Sequence, residues 1–244
     1  MLAYEEWRNK YNEGSLNATQ RQFFLPRSPE ALYDVENDPY ELNNLADDPA
    51  YADVLKELRG DLAAQVKSMP DLSFFPEPYF LEKGINNPVK FGQNNKAKIA
   101  GYVDIADLML LPFKQASAGI EKALASDDPW ERYWGLVVCS AFGEQARPFF
   151  KKAMALVKSD PENLVAVRAI EFLGLCGKAK PETHLMNALK KAETPTEANL
   201  ILNTVALLET ALPGFDMWVP EDTFDKKWLE GITLTSLDGW SLSI

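Results

Sequence analysis

The sequence predicts a mostly α-helical protein, in which the remnant of a small α+β subdomain is followed by a domain of helical repeats. Three observations carry this. Apolar residues recur at three- and four-residue spacing over residues 51–69 and again from about 97 to 211, the period of an amphipathic helix. Within the second stretch the same helix-starting punctuation returns at a nearly constant interval. A single alternating segment, Leu32, Tyr33 and Val35, reads as a short strand.

In chain order, Tyr4, Trp7, Arg8 and Tyr11 are spaced for one face of a short helix. Gly14-Ser15 interrupts it, and a second short helix over residues 17–24 ends before Pro26 and Pro29. Residues 32–45 read LYDVENDPYELNNL. Asp38-Pro39 breaks the strand, because proline has no N–H to donate and fixes its own φ. Asp38 is then expected to cap a helical turn with Glu41 at its third position. Asn43 and Asn44 stop that turn, and Asp47-Asp48-Pro49 starts the next helix by the same device. Its stripe is Val54, Leu55, Leu58, Leu62, Val66 and Met69, with Gly60 costing about 1 kcal/mol relative to alanine. Pro70 ends it. A lone strand leaves its backbone N–H and C=O groups without partners, and no second strand precedes it. It is therefore expected to join a sheet whose other strands lie elsewhere.

The run LYDVENDPYELNNLADDPAY resembles the C-terminal signature of the formylglycine-dependent sulfatases, of the alkaline-phosphatase-like superfamily. Glu6-Trp7-Arg8, Leu16, Gln20 and Phe23-Phe24-Leu25-Pro26-Arg27 are similar to the heparan N-sulfatase-like branch of that family, so the resemblance covers roughly residues 4–80. It implies that 32–45 closes a small C-terminal sheet and that 51–69 is its packing helix. It also implies that the complete protein hydrolyses sulfate esters or N-sulfates on sulfated polysaccharides, using formylglycine and calcium. The residues of that chemistry lie upstream of the signature in the family. The missing partner is thus an N-terminal catalytic domain.

Residues 70–95 change character. Their prolines and repeated asparagines rule out a long helix, yet Phe74, Phe75, Tyr79, Phe80 and Phe91 are too apolar for a free linker. The segment is expected to lie along another surface, partly that of the missing catalytic domain, with a boundary near residue 95. Beyond it, Phe142-Gly143, Cys176-Gly177 and Thr210-Ala211 fall 34 residues apart. Asp128-Pro129, Asp160-Pro161 and Thr194-Pro195 recur after 32 and then 34 residues. Each pair reads as a helix start, capped by Asp or Thr with proline at the first position, and Glu131 and Glu197 would complete capping boxes. Apolar helices follow over 133–142, 164–176 and 200–212, each preceded by a second one whose apolar part covers 120–125, 149–157 or 185–189. Period and punctuation together resemble HEAT-type repeats over 96–212, although Trp130 and Trp134 are bulky for such a helix. In the tail, 213–244, Trp218, Phe224, Trp228 and Trp240 are candidates to cap the last repeat, 221–225 reads as a solvated acidic face, and the final residues contain half of a hairpin.

Composition narrows the function. The chain carries 25 basic and 36 acidic residues, a net charge of −11, the wrong sign for an electrostatic nucleic-acid binder or for adsorption to anionic membranes. No stretch approaches the roughly 18 apolar residues of a membrane span. The opening MLAYEEWR lacks the order of a signal peptide; the resemblance places any export signal in a preceding portion. Cys139 heads CSAFG and Cys176 heads CGKAK, neither of them the C/S-x-P-S-R pattern from which formylglycine is made, and both read as core thiols. Asp34, Glu36 and Asp38 alternate like calcium ligands, but Pro39 follows where such a loop needs glycine. Asp47-Asp48 reads as a cap. His184 is the only histidine, at a helix start and with no nucleophile-elbow motif to serve. No catalytic, cofactor-binding or metal-ligating residue is assigned to this chain. The favoured reading is the C-terminal portion of a sulfatase whose repeats form a recognition or oligomerisation surface. The alternative is a free-standing helical-repeat scaffold that binds a protein partner.

Overall fold

A computed structural model of the chain describes residues 2–224. The mostly α class is what the chain adopts: helices supply the regular structure, and no strand occurs among the described residues. Two compact units form, Met1–Ala63 and Ala64–Ile244.

The first unit is held by aromatic stacking and polar loop closure rather than by a core. Helix α1 (Leu2–Asn12) presents Trp7 and Tyr11, each stacked on a phenylalanine, Trp7 on Phe23 and Tyr11 on Phe24, with centroids 4.7 Å apart in both pairs. Those phenylalanines follow α2 (Ala18–Arg21), which starts in a capping box where Asn17 and Gln20 exchange side-chain and backbone bonds. Among the described residues of this unit Leu16 alone is buried. The strand expected at residues 32–35 is absent. The backbone there is irregular and runs into a turn at 35–37; Leu32 O accepts Leu45 N–H at 2.8 Å, and no partner strand lies among the described residues to extend a ladder. The α+β character assigned to this subdomain is corrected accordingly. Nor does Glu41 enter a helical turn: its φ is +52°, a left-handed conformation that costs a residue bearing a Cβ about 1–2 kcal/mol. Asp48 caps a 3₁₀ turn, Pro49–Tyr51, that leads into α3 (Ala52–Ser68).

The second unit begins with a correction. Residues 70–95 contain α4 (Glu77–Lys83) and the start of α5 (Pro88–Ala106), a 19-residue helix. Asn87 accepts from Lys90 N–H and Pro88 takes the first position, where a missing N–H costs nothing,. Proline here opens a helix instead of preventing one, and residue 95 lies within α5. The aromatic rings pack on helices of this same chain. Phe75 is 4% exposed, in an edge-on contact with Tyr102, and Tyr79 meets Trp130 edge-on at 5.0 Å. Phe74 packs on Trp134, whose indole N–H donates to Phe74 O at 2.9 Å. The two tryptophans that suit a repeat helix poorly are thus the docking points of the aromatic segment.

Three helix pairs follow: α6 (Phe113–Leu124) with α7 (Pro129–Phe142), α8 (Phe150–Ser159) with α9 (Asn163–Leu175), and α10 (Glu182–Lys191) with α11 (Pro195–Ala211). Asp128 and Thr194 cap α7 and α11 as expected. The middle start differs: Asp160 accepts from Glu162 N–H, but α9 begins only at Asn163, two residues after Pro161, with Glu162 at its N-cap. Asp160 also receives a buried two-pronged ion pair from Arg132 of α7, at 2.7 and 2.8 Å. Glu131 completes no capping box, and Glu197 accepts from Asn163 and from Glu193 N–H. The repeated glycines have a backbone reason: Gly143 and Gly177 adopt φ of +55° and +63° where α7 and α9 end, the conformation that releases a helix at least cost in glycine. Helix α11 ends at Leu212 with a negative φ and needs no glycine. Helix α9 is buried over most of its length and supplies both core clusters, Leu164, Val167 and Ile170 to one, Val165, Phe172 and Leu173 to the other. Met217 is buried and Phe224 packs on the first cluster, while Trp218 is 63% exposed. Trp228, Trp240, Asp225 and the expected hairpin half lie outside the described residues.

Candidate functional site

Two features stand out, one in each unit. In the first, residues 30–48 are tied by the polar side chains of the LYDVENDPYELNNL run. Asn44 Oδ1 accepts from Leu32 N–H at 2.9 Å and Ala46 N–H at 3.0 Å. Asp34 Oδ1 accepts from Glu36 N–H and Asn37 N–H, and its Oδ2 from the Asn37 side-chain amide. Those bonds, the Asn37 amide first, hold the Asp34 carboxyl below its ordinary value. Asp38 Oδ2 takes Asn43 N–H at 2.8 Å, and Gln22 donates to Leu42 O. Arg59 of α3 forks onto Glu30. The polar residues are spent on closing the loop. Three of the apolar ones face out: Val35 is 59% exposed, Tyr40 82% and Leu42 43%. On α3 the stripe splits, with Leu55 half-buried and Val54, Leu58 and Leu62 left 47%, 51% and 63% exposed, one above another at four-residue spacing. A protein that kept these uncovered would forgo roughly 1 kcal/mol or more per side chain, and such a patch marks an interaction surface.

Asp34 and Asp38, weighed together with Glu36 as calcium ligands, therefore act as loop braces. Asp48 caps Ala50 N–H. Among the described residues no three His, Cys, Asp or Glu side chains gather to hold a metal. Cys139 sits buried in α7, where desolvation pushes its thiol up to about 12. Cys176, partly exposed at the end of α9, is also raised, chiefly by burial and then by Glu144. A nucleophilic thiol needs the opposite shift. His184 lies half-buried in α10. Calcium and formylglycine, which the resemblance implies for a complete sulfatase, find no fitting donor set in the described residues.

In the second unit a groove of about 290 Å³ opens between the 3₁₀ turn Leu72–Phe74 and helices α7 and α9. Phe74, Tyr133 and Trp134 form its aromatic wall, with Ser140, Arg168 and Glu171 as its polar groups. The Arg168 guanidinium sits 5.1 Å from the Tyr133 ring centroid and donates through Nη1 to Glu171 Oε2, which also takes the Thr204 hydroxyl at 2.7 Å. Glu171 is only 5% exposed. The Ser140 hydroxyl is buried and has no hydrogen-bond partner among the described residues. Sequence reading singled out neither Ser140 nor the Arg168–Glu171 pair; the i,i+3 spacing of the pair was its one visible signal.

No protein-family profile matches the chain, and no solved structure does. A stretch of 72 residues is 40% identical to an ulvan-active sulfatase of Formosa agariphila (strain DSM 15362 / KCTC 12365 / LMG 23005 / KMM 3901 / M-2Alg 35-1). It amounts to 29% of this chain and 12% of that sulfatase, so the chain spans about an eighth of the length of the curated relative it matches. Over part of its length, the chain is related to a sulfatase.

Proposed function

We propose that this chain is the C-terminal portion of a sulfatase that hydrolyses sulfate esters or N-sulfates on sulfated polysaccharides. It carries none of the reacting groups itself. The observation that bears this reading is the outward apolar face of the first unit, in a chain with local sequence identity to a sulfatase. The run 32–45 uses its polar side chains to close the loop and offers Val35 and Tyr40 to a covering body. On this reading the body is the catalytic domain, the run closes its small sheet, and α3 braces that sheet through Val54, Leu58 and Leu62. Formylglycine and calcium belong to that domain. The helical pairs, HEAT-like in period, serve as an interaction surface.

A domain exchange tests this. The part of the ulvan-active sulfatase that corresponds to residues 2–68 is replaced by those residues of this chain, and sulfate release from ulvan is measured. The exchange should fold and release sulfate. Leu58→Asp with Leu62→Asp in the exchanged stretch should abolish folding, since each places a charge on the covered face. An exchange that tolerates both aspartates would reject the docking face. A second reading, a free-standing helical-repeat scaffold, is favoured by the self-contained core of the second unit. It requires the full chain to capture a protein partner through α6–α11 with no sulfatase body present.

A further inference from the structure

We propose that the outward face of α8, with the turn before it, binds a strand of sulfated polysaccharide through its cations. The choice of that polyanion rests on the proposed function; the cationic face does not. The chain as a whole has a net charge of −11, yet from Gln145 to Ser159 it holds four basic residues and no acidic one. Helix α8 turns Ala153 and Leu156 into the core and leaves Lys151, Lys152, Ala155, Lys158 and Ser159 exposed. Arg147 stands exposed in the 3₁₀ segment Gly143–Phe149 that runs into it. Lys178, just after α9, lies 5.6 Å from the Phe150 ring centroid and pairs with Glu144 at 3.1 Å. It therefore joins the start of α8, and Lys180 is exposed beside it in the chain.

The fold neither uses these cations nor favours their placement. Lys10, Lys67, Lys83 and Lys98 each bond to a carboxylate. Arg147, Lys151, Lys152, Lys158 and Lys180 form no ion pair among the described residues. Lys151 and Lys152 occupy the first turn of α8, which holds no acid, although the helix dipole disfavours cations at that end. Lys151 and Lys158 lie two turns apart on one side, about 10 Å along the axis. The small Ala155 falls between them, so an extended polymer can lie close against the helix. The face also selects its occupant. It exposes no aromatic ring on which a base could stack, since Phe150 is half-buried beneath Lys178,. It exposes no long apolar side chain to enter a bilayer,. A sulfate ester keeps its negative charge at any physiological pH, and successive sulfates along a strand can meet successive lysines, releasing counterions at each.

The test measures binding of the full chain to dextran sulfate by affinity electrophoresis and calorimetry, with unmodified dextran and single-stranded oligothymidylate beside it. At about 50 mM salt dextran sulfate should bind, oligothymidylate should bind more weakly and dextran should not bind; about 200 mM salt should weaken the first at least about tenfold. Lys151→Gln with Lys158→Gln should weaken it about fivefold or more and lower the slope of log affinity against log salt by more than about 1. That variant should melt at the parent's temperature or above, since it removes unneutralised charge and no contact. Lys90→Gln with Lys96→Gln, exposed lysines of α5, should change affinity less than about twofold. The proposal is overturned if dextran sulfate does not bind at low salt, if oligothymidylate binds as tightly, or if the α5 pair matters as much as the α8 pair. Absence of binding beside a successful domain exchange removes this face and leaves the proposed function; a failed exchange beside binding specific to α8 does the reverse.

Discussion

Asp160→Ala should destabilise the helical unit by about 3–5 kcal/mol, the cost of breaking a buried ion pair from one side. The size follows from what the substitution strands. The Asp160 side chain is 1% exposed and that of Arg132 10%. Arg132 would keep only the Ser126 and Asp127 carbonyls, at 2.8 and 3.1 Å, and would lose both bonds to the carboxylate. Glu162 N–H would lose its acceptor as well. The double variant Arg132→Met with Asp160→Leu leaves no charge behind and should be far milder, within about 2 kcal/mol of the parent. Urea unfolding followed by far-ultraviolet circular dichroism of the parent, Arg132→Met, Asp160→Leu and their double variant gives the four corners of a cycle, which should show a coupling energy of at least about 2 kcal/mol. If Asp160→Ala cost under about 1 kcal/mol, or if the two substitutions added independently, the pair would not tie α7 to the start of α9 and the reasoning would be wrong.

Further outcomes follow from the same contacts. Burial raises the Asp128 carboxyl, but hydrogen bonds from Lys98, Trp130 N–H and Tyr102 outweigh it and hold it below its ordinary value. Its contribution is therefore present above the unfolded carboxylate range and lost as pH falls through the depressed value, so Asp128→Asn should flatten the acid limb of stability against pH. Glu162 is shifted the other way, by burial first and then by Glu197 and Asp160. Its contribution is present at low pH and lost as pH rises through the raised value, so Glu162→Gln should stabilise the protein at pH 7 and not at pH 4, read by the same unfolding curves. Phe75→Ala should cost the helical unit about 3–5 kcal/mol, because the ring lies 4% exposed among Tyr79, Phe91 and Tyr102; a cost near zero would detach residues 70–95 from that unit. In thiol titration of the folded chain, Cys176 should react and Cys139 should wait for unfolding; simultaneous reaction would contradict the burial of α7.

The helical unit was largely legible because its punctuation is local. Asp128 and Thr194 cap helices by bonding backbone two or three residues away, and a pattern of that reach is written in consecutive residues. Pro88 misled for a related reason: whether proline opens or breaks a helix depends on its position, and only Asn87 as cap settles that. The aromatic run at 74–91 announced burial but not its partner, since Trp130 and Trp134 lie far along the chain. The strand at 32–35 failed because alternation gives a strand its faces but no partner, and Asn44 supplies a side-chain substitute for one bond of the missing ladder. The groove was illegible because Ser140, Arg168 and Glu171 meet through the packing of α7 against α9.

The most direct test of the central claim, that the first unit is shaped to be covered, is amide hydrogen exchange over residues 2–63. The isolated full chain is compared with the same residues placed in the sulfatase exchange. With Leu16 the one buried residue there, local opening should be easy, and exchange in the isolated chain should run at least about 100-fold faster than in α9. In the exchange protein those amides should become protected. Equal, strong protection in the isolated chain would mean that these residues stabilise themselves, and the claim would be contradicted.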